Sequence, residues 1–384
     1  MDRIYLDYAA TAPVLPEVME AMLPFFITNY GNPSGIHRNG REARKAIEEA
    51  RRQTAEVLGV QNREIYFTSG GSESDNFAIK GIAFAGQDKG KNHLVTTMIE
   101  HPAVLNTCRW LEKRGFQVTY LKPDQTGIIS PDAVREAIRP ETILVSVMAA
   151  NNEIGTIEPI SEIGSVCREK GVVFHTDAVQ AAGMIPLCAA SLNADMISLS
   201  AHKFHGPKGI GALYIRNGLH LDPLIHGGEQ ERRARAGTEN VPGIVGLGKA
   251  ILVAEKERDT KSVWIRELRD RMITSVLDAI PDTAVNGHLK QRLPNNCHFS
   301  FRGVESEALL LRLDLAGIAA SGGSACTSGS VEPSHVLKAI DLDKDMIKGS
   351  VRFTLGRETT KAEIDRAVQV LAKIVMDLRN MRSL

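Results

Sequence analysis

The sequence predicts an α/β fold in which a large sheet carries helices on both faces, followed by a smaller α+β domain. Over roughly the first two thirds of the chain, short apolar runs of strand length alternate with amphipathic stretches of helical periodicity. Beyond that point, amphipathic helices separate only a few short strands. We therefore expect a large domain over residues 14–257 and a small domain built from residues 1–13 and 258–384.

The predicted elements of the large domain follow one another in regular alternation. Seven strands are expected at 64–68, 93–98, 117–121, 143–148, 172–177, 196–199 and 210–215. Helices are expected at 16–26, 40–58, 75–84, 102–114, 160–170 and 244–258, with a further helix capped by Ser130.

The small domain is predicted from fewer elements. Its helices are expected at 263–279 and 306–316, and its strands at 296–301 and 350–354. The last helix opens with a capping box formed by Thr360 and Glu363.

The composition is that of an ordinary globular protein. The 384 residues carry a formal net charge of +0, which offers no electrostatic attraction for nucleic acid or an anionic membrane. No apolar run reaches the length of a membrane-spanning helix, and the first residues lack the pattern of a signal peptide. The five cysteines are scattered without a Cys-x-x-Cys pair, which argues against a disulfide framework or a zinc site. We expect a cytoplasmic protein without a resident metal.

Lys203 is the first candidate for a reactive group. It lies between two histidines, directly after a predicted buried strand and before a run of glycine and proline. A lysine at a strand end among small residues can lose its hydration, so that its amine is free to attack a carbonyl. Taken alone, a solvated lysine in a turn explains the same residue.

Other polar residues also follow predicted strands. The Gly/Ser turn at 69–74 opens a helix after a strand and could bind a phosphate, although it is neither a Walker loop nor a Rossmann fingerprint and could be a plain capped turn. His101 lies at a strand-to-helix junction, where open α/β sheets bind ligands. Asp177 ends a buried strand and therefore needs a cation or strong donors.

Two loops stand out from their surroundings. The basic loop 226–240 suits an anion, with a nucleic-acid patch or a solvated face as the alternatives. The loop 320–330 contains Cys326 among three glycines and several serines, whereas structural cysteines usually lie among apolar side chains. Cys326 is therefore a candidate nucleophile, to be weighed against a free thiol without a function.

Together these features meet the requirements of one cofactor. Pyridoxal 5′-phosphate needs a lysine for its aldehyde, a carboxylate for its ring nitrogen and donors for its phosphate. It also needs a group stacked on its ring and a cation for the substrate carboxylate. The sequence supplies a candidate for each at a strand end or a loop.

At this level of detail the chain resembles the cysteine desulfurases, the nitrogen-fixation and iron–sulfur-cluster sulfur donors among the class V aminotransferase-like enzymes. The similarity covers essentially the whole chain. It is carried by the stretches 5–11, 68–74, 100–101, 151–155, 175–180, 200–203, 235–238, 324–328 and 351–353. The resemblance implies the type I fold of pyridoxal phosphate enzymes, with a mostly parallel seven-stranded sheet, a homodimer, and conversion of L-cysteine to L-alanine.

The resemblance also implies roles for residues around the cofactor ring. Lys203 would bind the aldehyde covalently and then act as a base. Asp177 would keep the pyridine nitrogen protonated, and Gln180 would hydrogen-bond the phenolic oxygen. His101 would stack on the ring and could move protons.

The remaining implied roles concern the phosphate, the substrate and the sulfur. Gly71, Ser72, Ser200 and His202 would hold the phosphate, with Thr238 contributed by the partner subunit. The substrate carboxylate would be bound by Arg352 and Asn152, and the sulfur would be received by Cys326 as a persulfide.

The sulfur acceptor is not specified by the sequence. Iron–sulfur scaffolds, tRNA-thiolation enzymes and proteins of thiamin or NAD synthesis are all candidates. The chain departs from many relatives at Ala201, where they have glycine, and this methyl group could shift the phosphate turn slightly. A selenocysteine lyase, a simple class V aminotransferase and a non-catalytic sulfur carrier are the competing interpretations.

Overall fold

The computed structural model describes residues 3–87, 90–322 and 333–382. The strands in chain order are β1 (Ile4–Tyr5), β2 (Ile65–Thr68), β3 (His93–Thr97), β4 (Gln117–Leu121), β5 (Thr142–Ser146), β6 (Val173–Asp177), β7 (Met196–Ser200), β8 (Gly211–Ile215), β9 (Thr283–Val285), β10 (Asn296–Phe301), β11 (Ile318–Ala319) and β12 (Ser350–Thr354). The helices are α1 (Pro16–Met22), α2 (Pro24–Ile27), α3 (Arg38–Leu58), α4 (Gly71–Gln87), α5 (Pro102–Glu112), α6 (Pro131–Ala137), α7 (Ile160–Lys170), α8 (Val241–Ala279), α9 (Ser306–Leu315), α10 (His335–Ala339), α11 (Lys344–Lys348) and α12 (Lys361–Arg382).

A seven-stranded sheet forms the centre of the molecule and confirms the predicted fold class. Its strand order is β2-β8-β7-β6-β5-β3-β4, and only β8 runs opposite to the other six strands. The carboxyl ends of β3, β5, β6 and β7 therefore meet at one edge of the sheet. Ligands bind at this edge in open α/β folds.

Both faces of the sheet are covered, as the sequence predicts. Neighbouring residues of one strand point to opposite faces, so Val95 and Phe174 contact the core beneath α3 and α8. Leu94 and Met196 belong to the core on the other face, which α4 and α5 cover. A separate core contains residues from β1, β10, β12, α9 and α12.

Helix α8 differs from the prediction, which placed two helices at 244–258 and 263–279. The structure has one helix of 39 residues. The intervening residues are polar but include neither proline nor glycine, so nothing in them prevents helix continuation. Ser262 is buried, and its hydroxyl donates to the carbonyl of Met184 at 3.1 Å.

The continuous helix connects two hydrophobic cores. Ile244 and Leu247 pack in the core of the large sheet, whereas Leu268 and Met272 pack in the core that contains β10 and β12. The predicted domain boundary at residue 257 falls inside this helix. The division into two domains stays a prediction.

The bounds of two further helices differ from the sequence prediction. The helix predicted over 16–26 is divided at Pro24, because proline cannot donate the backbone hydrogen bond of a helix interior. Helix α4 begins at Gly71, four residues before the predicted start at Asp75, which places its first turn at the edge of the sheet. Within the described part of the chain, no helix is both long and apolar enough to cross a membrane.

A buried ion pair fixes the basic loop to the large sheet. The guanidinium of Arg51, on α3, donates to both carboxylate oxygens of Glu231 at 2.8 Å, and to the carbonyl of Ile65 at 2.6 Å. Glu231 and the two residues after it adopt positive φ angles of 43°, 58° and 68°, which side chains other than glycine rarely adopt. The ion pair therefore holds a strained segment in place.

We expect Arg51→Ala to lower the free energy of unfolding by about 3 kcal/mol or more, because Glu231 would remain buried without its cation. Arg52→Ala is the matched control, since the neighbouring Arg52 pairs with Glu49 and Glu56 on the exposed side of the same helix. Chemical denaturation of both variants measures the difference. Equal, small effects of the two substitutions would contradict this account.

Candidate active site

One cavity lies at the carboxyl edge of the sheet and has a volume of about 400 Å³. It brings together ten residues that the sequence singles out: Gly71, Ser72, His101, Asn152, Asp177, Gln180, Ser200, His202, Lys203 and Arg352. A cavity of this size accommodates a small cofactor together with a small substrate.

Lys203 reaches the cavity from a short 3₁₀ turn that follows β7. Its Nζ donates to the backbone carbonyls of Ala9 at 2.5 Å and Ala10 at 3.0 Å. These carbonyls belong to the N-terminal segment, so the amine is positioned by residues distant in the sequence. Gln180 is held by the same segment, because its Nε2 donates to Ala9 O at 3.0 Å.

Asp177 is the last residue of β6, and its Oδ1 accepts the backbone N–H of Val179 at 2.9 Å. Burial raises the pKa of this carboxyl, and His101, the Val179 N–H and the ammonium of Lys203 oppose this rise without cancelling it. A cation that enters the cavity beside Asp177 would therefore be stabilised by this carboxylate.

A second acid, Asp75, lines the same cavity and was missed by the sequence analysis. It is 1% exposed, and its Oδ1 lies 3.7 Å from His175 Nε2. Burial, and then the charge of Asp177, raise the pKa of Asp75 well above its usual range. Burial lowers the pKa of His175 to about 3, so this imidazole supplies no positive charge at neutral pH. Of the two acids, Asp177 is the more readily ionised, because the ammonium of Lys203 lowers its pKa.

His101 is oriented by the helix that it begins. It is the N-cap of α5, and its Nδ1 accepts the backbone N–H of Ala103 at 3.1 Å. Burial lowers the pKa of His101, Asp177 opposes this effect, and Lys203 and His335 reinforce it. The ring is therefore held in one tautomer, with its proton on Nε2.

The first turn of α4, the last residue of β7 and the 3₁₀ turn after β7 lie together at one corner of the cavity, which can bind an anion. Backbone N–H groups in the first helical turn have no partner within the helix and can bind an anion. A side chain at Gly71 would place its Cβ 2.8 Å from Val179 Cγ2, so glycine permits the close approach of α4 to the chain after β6. Ser200 and His202 line the same corner.

Ala201, at the position where the resemblance to the family implies glycine, is accommodated locally. Ala201 is fully buried, and a Cβ on Gly206 would lie 2.7 Å from its methyl group. The absence of a side chain at Gly206 therefore leaves room for Ala201.

Arg352 lies on β12, and its guanidinium is anchored from two sides. It donates to the backbone carbonyl of Asn152 at 2.7 Å and to Asp7 Oδ1 at 2.9 Å. The sequence analysis gave no role to Asp7, although the residue lies in one of the stretches that carry the resemblance. The fixed guanidinium plane can still present N–H groups to a carboxylate in the cavity.

Two predicted site residues are not among the described residues that line this cavity. Thr238 is exposed and lines a separate cavity of about 160 Å³ with Ser69 and Glu239, so its assignment to a partner's site stays a prediction. Cys326 lies outside the described residues.

The other four cysteines are free thiols, and three of them are buried. Burial raises the pKa of Cys108, Cys167 and Cys297 to about 12 in each case. Cys188 differs from these three cysteines. It is only partly buried, and hydrogen bonding from the backbone of Ser191 lowers the pKa of its thiol.

The comparisons with known proteins agree with this geometry. Residues 4–367 match the family model described as aminotransferase class V. A protein of Methanosarcina thermophila named cysteine desulfurase IscS is 56% identical over 381 residues, which are 99% of this chain and 94% of that protein. The chain belongs to the cysteine desulfurases of the class V aminotransferase family. This finding confirms the family predicted from the sequence.

Solved structures extend the agreement to the fold of the cysteine desulfurases. A NifS-like protein matches with a TM-score of 0.92 and 38% identity, covering 98% of this chain and 100% of that one. A structure described as SspA in complex with cysteine matches with a TM-score of 0.81 and 39% identity, covering 93% and 100% of the two chains.

We expect the ring of His202 to be neutral at neutral pH. Burial, and then the charges of Lys203 and Lys208, lower the pKa of His202 to about 4. Histidine NMR titration, with His202→Gln to assign the signal, should give a midpoint near this value. Because this pKa is below that of the unfolded chain, about 6.5, His202 reduces stability as the pH falls between the two. A midpoint at the unfolded value would contradict the prediction.

Proposed function

We propose that this protein is a pyridoxal 5′-phosphate-dependent cysteine desulfurase. It converts L-cysteine to L-alanine, retains the sulfur on Cys326 as a persulfide and passes it to an acceptor protein, such as an iron–sulfur scaffold or a tRNA-thiolation enzyme. The observation that carries the proposal is the convergence of Lys203, Asp177, His101 and Arg352 on one cavity. The names of the relatives support it.

The residues present fit pyridoxal phosphate. A lysine amine, a carboxylate supported by the ammonium of Lys203 and a helix N-terminus line one cavity of suitable size. Gly71 leaves the space at that helix start that a Cβ would fill. When bound, the cofactor supplies an electron sink for the negative charge that develops on the substrate.

Four residues would then act around the ring. Lys203 Nζ would hold the aldehyde carbon and would act as the base for the substrate Cα proton. Asp177 would balance the charge of the ring nitrogen, and Gln180 would donate to the phenolic oxygen. His101 would lie against the ring and could move a proton through Nε2, because its Nδ1 accepts the backbone N–H of Ala103.

The phosphate would be held by backbone and hydroxyl donors. Gly71 and Ser72 offer N–H groups at the start of α4, and Ser200 and His202 complete the corner. A neutral His202 can still donate one hydrogen bond. Thr238 would come from a second copy of the chain, which makes the active enzyme a homodimer.

A patch of exposed apolar side chains supports the homodimer. Its members lie between α1 and α2, on α2 and in the loop after it, and are 51–91% exposed: Leu23, Phe26, Ile27, Tyr30 and Ile36. Such clustering on a protein surface marks an interaction site.

Substrate recognition would rest on Arg352 and Asn152. The guanidinium is planar and can bind the cysteine carboxylate through two parallel hydrogen bonds, which a lysine cannot reproduce. Asn152 lines the cavity, and its backbone carbonyl orients the guanidinium of Arg352.

Cys326 would receive the sulfur. Its thiolate forms an S–S bond to the substrate sulfur as the Cβ–S bond breaks, and Cβ takes the electron pair and then a proton to give alanine. Cys326 is four residues beyond Gly322, and Ser321 pairs with the backbone of Arg352, which lines the cavity.

We place the enzyme in the cytoplasm, where free thiols are the usual state of cysteine.

We expect the protein purified with pyridoxal phosphate to be yellow and to be labelled by borohydride at Lys203. Lys203→Ala should still bind the cofactor, without a covalent bond, and should not convert cysteine. Peptide mapping after reduction gives the site. Labelling of another lysine would show that the assignment is wrong.

We expect persulfide, formed by exposure to cysteine and detected by mass spectrometry, to map to Cys326. Cys326→Ser should abolish it, whereas Cys188→Ser should leave it unchanged. Cys188 is the informative control because its half-exposed thiol is the one described thiol with a lowered pKa. Persulfide found mainly on Cys188, Cys108 or Cys297 would refute the role of Cys326.

A further inference from the structure

The N-terminal segment of the chain contacts two cationic side chains of the cavity wall. Asp7 Oδ1 accepts an N–H of Arg352 Nη2 at 2.9 Å. Two and three residues later, the carbonyls of Ala9 and Ala10 accept hydrogen bonds from Lys203 Nζ at 2.5 and 3.0 Å. One short segment therefore sets the position of the guanidinium relative to that of the amine.

The backbone around Asp7 is fixed to the strand that carries Arg352. Asp7 forms a parallel bridge with Thr354 of β12. The N–H of Thr354 donates to the carbonyl of Leu6 at 2.7 Å, and its Oγ1 accepts the N–H of Ala9 at 2.9 Å. The carboxylate of Asp7 is therefore presented to Arg352 from a defined position.

The guanidinium of Arg352 is fixed through both of its terminal nitrogens. Nη2 donates to Asp7, and Nη1 donates to the carbonyl of Asn152 at 2.7 Å. Because a guanidinium is planar, acceptors on both terminal nitrogens determine the orientation of the whole group. If the Asp7 carboxylate were removed, the contact with Asn152 would remain, but the plane could turn about it. The contact with Asn152 therefore cannot replace the contact with Asp7.

We propose that Asp7 is a positioning residue that determines substrate selectivity: through Arg352, it makes the cavity prefer an α-amino acid to an amine without a carboxylate. The inference rests on the proposed function, in which Arg352 binds the substrate carboxylate and the substrate amine enters beside Lys203. Bidentate binding requires the guanidinium and the carboxylate to lie in one plane. Since the amine and the carboxylate of an α-amino acid share one carbon atom, both must be met at one fixed spacing.

The charge of Asp7 and its position have opposite effects on the binding of a second carboxylate. The negative charge of Asp7 lies next to Arg352 and repels a substrate carboxylate. If charge alone mattered, removal of the Asp7 carboxylate would tighten the binding of an amino acid. If orientation of the guanidinium matters more, the same removal weakens this binding. The direction of the change therefore distinguishes positioning from charge.

The test uses the holoenzyme of wild type, Asp7→Ala, Asp7→Asn and Tyr5→Phe. The ligands are L-alanine, the product of the proposed reaction, and ethylamine, which is alanine without its carboxylate. The change in visible absorbance gives both dissociation constants, and neither ligand requires Cys326. Tyr5→Phe is the matched control, because the Tyr5 hydroxyl lies 3.0 Å from the carbonyl oxygens of Asp7 and Thr11 and so holds the backbone of the same segment.

We expect Asp7→Ala to raise the dissociation constant of L-alanine about tenfold, as for the loss of one charge-assisted hydrogen bond, and to leave that of ethylamine within about twofold of wild type. Asp7→Asn keeps an oxygen that can accept from Nη2, so it should give a smaller increase. Tyr5→Phe should leave the ratio of the two dissociation constants at its wild-type value.

An unchanged or lowered dissociation constant for L-alanine in both Asp7 variants would overturn the inference. Equal increases for L-alanine and ethylamine would overturn it as well, because they would indicate a general disturbance of the segment that contacts Lys203. A wild-type protein that binds the two ligands equally well would instead refute the proposed function, in which Arg352 binds the substrate carboxylate.

Discussion

The carboxyl group of Asp177 is buried at the end of a central strand, and an ionised carboxyl in that position requires positive charge. Lys203 supplies it from the turn that follows β7, and His101, which follows β3, also lowers the pKa of this carboxyl. The parallel arrangement of β3, β6 and β7 brings these three residues to one edge. The sheet topology therefore determines the electrostatics of the cavity, and the electrostatics determine which cations the cavity accepts.

The N-terminal segment joins the two sides of the cavity. Asp7 binds Arg352, the carbonyls of Ala9 and Ala10 bind Lys203, and Thr11 Oγ1 lies 3.2 Å from His202 Nδ1. The backbone N–H of Ala9 also donates to Thr354 Oγ1 on β12 at 2.9 Å. A few residues thus fix the amine and the guanidinium relative to one another, which neither the large sheet nor β12 could do alone.

The sequence predicted the residues whose position follows from a strand end. His101, Asp177 and Lys203 each lie at or a few residues beyond the end of a predicted strand, so their placement at one edge follows from a parallel sheet. Asp7 and Asp75 could not be found in this way. Asp75 lies within a predicted helix, where an acid usually faces solvent, and its contact with the cavity depends on how α4 packs on the sheet.

The continuity of α8 was missed for a related reason. The hydrophobic pattern changes near residue 258, and this change predicted a break in the helix. The pattern changes because the first part of α8 packs in the core of the large sheet, whereas the later part packs in the core that contains β10 and β12. Hydrophobic periodicity reports which core a segment contacts, whereas helix continuity depends on whether any residue interrupts the backbone hydrogen bonds. The two properties coincide in most helices and differ in this one.

The number of ionised acids around the cavity is limited by the number of cations that face them. Arg352 and Lys203 are balanced by Asp7 and Asp177, while the neutral His202 contributes no charge. Further carboxylates would be uncompensated, and burial accordingly raises the pKa of Glu100 to about 8 and that of Asp75 well above its usual range.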